Sequence, residues 1–163
     1  MIPAKFLDRV IGHALAEARS RQLSIFTFAF YFDYESRAVS VCIDTEENSL
    51  RTVKEINVYN YRHFLRAANA GDLSGAAMWN ANIGRSLSLG DFSVVNLARV
   101  DVPEADVGQE FFQSMLLAVI RNQPAIESQA RDKDRLILCC SGPDDEVEFV
   151  WSAMETEGPA ASA

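Results

Sequence analysis

The chain has 163 residues, 48% of them hydrophobic and 23% charged, with a formal net charge of −8. That length and balance suit one domain with a real apolar core, and exclude a disordered, collagen-like or disulfide-stapled chain. No run is apolar enough to cross a bilayer: the best candidate, residues 23–32, has about half the required length and contains Ser24 and Thr27.

The charge is unevenly placed. From Leu136 onward there are six acids (Asp144, Asp145, Glu146, Glu148, Glu155 and Glu157) and no Lys or Arg, so that end carries six of the eight net negative charges. Such a surface opposes phosphate, which argues against nucleic acid as a partner, and speeds encounter with a basic protein. A solvated face that aids solubility is the plainer account of the same run. The cysteines (Cys42, Cys139 and Cys140) are odd in number, and no secretory leader is expected, because Asp8, Arg9, His13 and Glu17 interrupt the segment that would have to be apolar. A reducing, cytoplasmic compartment is expected, with the thiols buried as small apolar groups.

Residues 4–20 read as an amphipathic helix, with Leu7, Val10, Ile11, Ala14, Leu15 and Ala18 on one stripe and Pro3 at its start. Residues 23–33 change to a period of two. Phe26, Phe28, Phe30 and Phe32 form the core face of a strand whose other face is also fairly apolar, which implies a central strand covered on both sides. Residues 38–43 form a second strand, so 23–43 is a hairpin. A capping side chain at Asp44 or Thr45 then starts a helix whose first turn holds Glu46 and Glu47; capping explains this acid cluster better than a metal does. The spacing predicts a helix from 46 to about 55 and another from 58 to about 69, ended by Gly71. Arg62 and Arg66 lie four apart and need no role beyond solvation.

Residues 72–83 are short helix or irregular. Residues 85–96 read as a hairpin about Gly90 and Asp91, with Leu87, Leu89, Phe92 and Val94 on one face. Pro103 and Glu104 open the main core helix, 105–121, which Pro124 breaks, leaving a short continuation to about Ala130. Residues 136–140 form a buried strand in which Cys139 and Cys140 point to opposite faces. The last element has two readings. A cap at Ser141 and the stripe Val147, Val150, Trp151 and Met154 favour a helix, which leaves Phe149 exposed beside the acids; the alternation of Val147, Phe149 and Trp151 favours a strand. The helix is preferred. Residues 1–157 form one domain and 158–163 a flexible tail.

The expected fold is α+β: a mixed or antiparallel sheet of about five strands, with helices mainly on one face. No nucleotide loop, zinc-protease, calcium-loop or nucleophile-elbow motif is present. With only His13 and His63 available, and no clustered ligand spacing, no metal or other cofactor is called for. The order of elements prompts a comparison: an aromatic strand 25–32, the acids at 44–47, an internal Trp79, Phe111-Phe112-Gln113-Ser114-Met115 in the main helix, and Asp144-Asp145-Glu146 after an apolar strand. This resembles small bacterial proteins of uncharacterised domain families. The resemblance implies an accessory or immunity role toward a toxin, and supplies no catalytic residues.

The favoured reading is therefore a cytoplasmic binding protein, rather than an enzyme, that meets a basic partner through Asp144, Asp145, Glu148 and Phe149. The alternative is an enzyme or small-ligand binder with a pocket at Tyr61, Trp79 and Arg85, in a stretch whose weak pattern suits a functional loop. A homodimer through hairpin 85–96 is a third possibility.

Overall fold

The computed structural model describes residues 2–153; the expected tail, the boundary at 157 and Met154 lie outside them. The fold is a single α+β domain. Its elements are α1 (Ala4–Ser20), β1 (Thr27–Asp33), β2 (Ala38–Asp44), α2 (Glu46–Asn69), α3 (Leu73–Ala77), β3 (Val94–Asp101), α4 (Gln109–Glu127), β4 (Ile137–Cys140) and β5 (Phe149–Ser152). The five strands form one mixed sheet in the order β3-β2-β1-β4-β5. Only the β1–β4 pair is parallel.

The phenylalanine alternation in β1 sets the two faces of this sheet. Phe28, Phe30 and Phe32 point to one side, with Val39, Val41 and Ile43 from β2 and Leu138 and Cys140 from β4. The stripes of α1 and α4 close over that side, α1 against β2 and β3, and α4 against β1 and β4. Burying rings and branched side chains here is the main stabilising term, at about 25 cal/mol per Å² of apolar surface. Ala29, Cys42 and Cys139 point to the other side. Among the described residues the segment before β3 covers them, with Leu87, Leu89 and Phe92. Thus β1 is covered on both sides, and Cys139 and Cys140 face opposite ways.

Four sequence expectations are corrected. First, the two helices over 46–69 are one helix of 24 residues, since nothing in the segment is Gly or Pro. Second, 85–96 is not a hairpin. Leu89–Asp91 wind into a 3-10 turn, and Val94–Asp101 instead pairs with β2. That pairing gives β2 a second neighbour and buries Leu97 in the main core, which a local Ser-Leu arm would not achieve. The ladder carries two extra residues on the β3 side, between Val39 and Val41 and between Val41 and Ile43. Asn96 and Ala98 take positive φ there, at 58° and 49°.

Third, α4 starts at Gln109 after a 3-10 turn at Glu104–Asp106, and runs through Pro124 to Glu127. The proline costs one bond, to the carbonyl of Ile120, at an exposed position where water replaces the lost donor. Fourth, the last element is the strand β5, not a helix. The free edge of β4 decides it: pairing sets Phe149 opposite Cys140 and Trp151 opposite Leu138, on the core face.

Candidate functional site

The acidic end of the chain folds into the loop joining β4 to β5. Ser141 anchors it: its Oγ accepts from the Phe32 N–H at 2.9 Å and donates to the Glu146 carbonyl at 2.6 Å. The Gly142 N–H donates to the Asp145 carbonyl at 3.0 Å, and the Val147 N–H to Asp145 Oδ1 at 3.0 Å. The Asp144 N–H donates to Glu148 Oε2 at 3.0 Å. Tyr34 reaches across from the β1–β2 turn and donates its hydroxyl to the Gly142 carbonyl. Burial, then the carboxylates of Glu148 and Asp145, push its phenol pKa up. A Cβ at Gly142 would fall 2.1 Å from Glu148 Oε2, so a side chain there would push the exposed Glu148 carboxylate aside.

Of the residues expected to bind a partner, this loop brings Asp144, Asp145 and Glu148 together, with Phe149 following. Phe149 is not the exposed ring expected of a helix: it is half-buried, packed against the core. Its remaining surface, with Pro143 and Glu148, forms one wall of a groove of about 390 Å³. The other wall is α4, through Gln109, Phe112, Gln113 and Leu116. The α4 wall is the part that sequence reasoning missed, because Phe112 and Leu116 sit on a stripe that reads as pure core.

Tyr61, Trp79 and Arg85 are not drawn to one point. Trp79 stacks on His63 with centroids 4.4 Å apart, and Tyr59 packs on His63 at 4.4 Å. Tyr61 projects from another face of α2 and is 60% exposed. Arg85 lies at the start of β1, its guanidinium 3.6 Å above the Phe26 ring. It donates to the Phe26 carbonyl at 2.6 Å, to Thr27 Oγ1 at 3.0 Å and to the Arg135 carbonyl. Arg85 is thus a clamp on the sheet. Burial and then nearby Arg135 lower its pKa.

The segment 79–83 is strapped along α2 by asparagines. Asn57 Nδ2 donates to the Asn82 carbonyl at 2.9 Å and its Oδ1 accepts from the Asn82 N–H at 2.7 Å, while Asn60 Nδ2 donates to the Asn80 carbonyl at 2.9 Å.

Of the two residues offered as the cap of α2, Thr45 takes the position. Thr45 Oγ1 accepts from the Asn48 N–H at 3.3 Å. Asp44, fully buried, accepts at Oδ1 from Thr45 N, Asn48 Nδ2, Ser93 N and Ser93 Oγ at 2.7 to 3.1 Å. Glu46 and Glu47 pair with Arg135 and Arg131 at 2.5 and 3.3 Å. Among the described residues no three His, Cys, Asp or Glu side chains gather into a metal-holding group. The thiols of Cys42, Cys139 and Cys140 are buried, and burial raises the pKa of each, Cys139 to about 12. Among the described residues no helix is long and apolar enough to cross a membrane.

Comparison with protein-family models, with curated proteins and with solved structures finds no match to this chain.

Proposed function

We propose that this chain is a protein-binding module that receives a basic segment with an apolar anchor in the groove between α4 and the β4–β5 loop. One observation carries the reading: the groove joins apolar walls (Phe112, Leu116 and Phe149) to the Glu148 carboxylate, with Asp144, Asp145 and Glu146 beside it in the same loop. An aliphatic or aromatic side chain of the partner fills the apolar part. Lysines or arginines of the partner meet the rim. Exposed rim charges chiefly raise the association rate and set its salt dependence, whereas the buried anchor sets the lifetime. An accessory or immunity role toward a basic toxin is one form of this reading, and it rests on the resemblance stated for the sequence.

Selection from a random peptide library displayed against the immobilised chain tests it. Enriched peptides should carry Lys or Arg flanking one bulky apolar residue. Their affinity should fall at least tenfold with Asp145→Lys/Glu148→Lys, mainly through slower association. Peptides without basic enrichment, or binding that survives both this double change and Phe149→Ala, would overturn the proposal.

A further inference from the structure

We propose that the outward face of α2 is a docking surface for a second copy of this chain, with the two helices antiparallel. The face is apolar, and none of the described residues covers it. Val58, Tyr61 and Leu65 are 48%, 60% and 39% exposed, and Ala68 is exposed too. Their spacing of three, four and three is that of a coiled-coil seam, and Lys54 continues it one step earlier. An adjoining side of the helix is already used: Asn57, Asn60 and His63 hold segment 79–83 and Trp79. After Val53 no residue of α2 is buried, so 16 residues of helix stand on a thin strap. Most helical stability in proteins comes from packing of an apolar face, which this stretch lacks on its outward side.

The charges select the occupant. In a parallel pair, Lys54 would meet Lys54 and Tyr61 would meet Tyr61. In an antiparallel pair with the dyad between Tyr59 and Asn60, Val58 packs on Tyr61 of the second copy, and Lys54 lays its stem on Leu65 of that copy. The same register brings Glu55 of each copy to Arg62 of the other, twice across the dyad. Sliding by one heptad would instead set Arg62 against Arg62. Self-pairing thus satisfies the seam and its flanking charges together, in an isologous interface that closes at two copies. This surface is separate from the α4 groove, and neither reading depends on the other.

Sedimentation equilibrium of the full chain tests the proposal through a charge swap. Wild type should be a dimer, and Leu65→Glu a folded monomer by circular dichroism. Glu55→Arg and Arg62→Glu should each weaken self-association about tenfold, as expected when two exposed attractive pairs become repulsive. An equimolar mixture of those two variants should recover dimerisation, because each then meets its opposite charge at both contacts. A wild type that stays monomeric at several hundred micromolar would overturn the proposal. So would a mixture that associates no better than its components.

Discussion

Two amphipathic helices of this chain have similar patterns and opposite fates. In α1, Leu7, Ile11, Ala14 and Ala18 are fully buried against the sheet and α4. In α2, only Ser49, Thr52 and Val53 are buried, all within the first eight residues; the rest leaves the body with α3 as an arm. The apolar stripe of a helix states that some surface will cover it. It does not state whether that surface belongs to the same chain. For α1 the cover is a sheet face that needs it. For α2, the sheet's second face is already closed by Leu87, Leu89 and Phe92.

The largest test of this contrast is truncation in each region. Phe30→Ala, in the body, should cost about 3–5 kcal/mol, because a ring buried at 0% leaves a cavity behind. Tyr61→Ala, on the arm, should change the stability of the dilute monomer by less than about 0.5 kcal/mol. Urea unfolding of both variants checks the pair, and a Tyr61 cost near that of Phe30 would erase the distinction.

The joint between the two regions should be intermediate. Asp44→Ala removes the acceptor shared by Thr45, Asn48 and Ser93, tying the start of α2 to the strand before it and to the approach to β3. A loss of about 2–3 kcal/mol is expected, from stranded donors plus weakened capping. Hydrogen exchange should show α2 loosened more than β1.

The smallest effect is confined to the body and depends on pH. Hydrogen bonds from Ser36, and then Arg99, hold the Asp33 carboxyl at about 2, below its ordinary 3.8. A lowered folded-state pKa stabilises above the unfolded value, and that contribution is lost as pH falls from 3.8 toward about 2. Asp33→Asn should therefore flatten the dependence of stability on pH in that window and leave the arm's helicity unchanged. Urea midpoints along the pH series, with circular dichroism of the folded state, measure both.

Much of this architecture was legible in the residues. The period of two in Phe28, Phe30 and Phe32 and the stripe in α1 each report a burial pattern that one element imposes on itself. Two of the misread elements were decided by distant neighbours. Residues 85–96 hold a plausible local turn, yet the open edge of β2 recruits 94–101. Residues 146–154 satisfy a helix cap, yet the free edge of β4 offers a ladder. The candidate groove was half legible for the same reason. Its acids and Phe149 are contiguous in sequence, but the facing wall comes from α4, an earlier element separated from them by β4.

The shape of β3 carries one further consequence. Its two extra residues and the left-handed turns at Asn96 and Ala98 distort the outer rim of the sheet on that side. On the other side the rim is β5, only four residues long. Neither rim offers a long flat template on which another chain could lay a new strand, so both guard against aggregation through open-ended growth of the sheet.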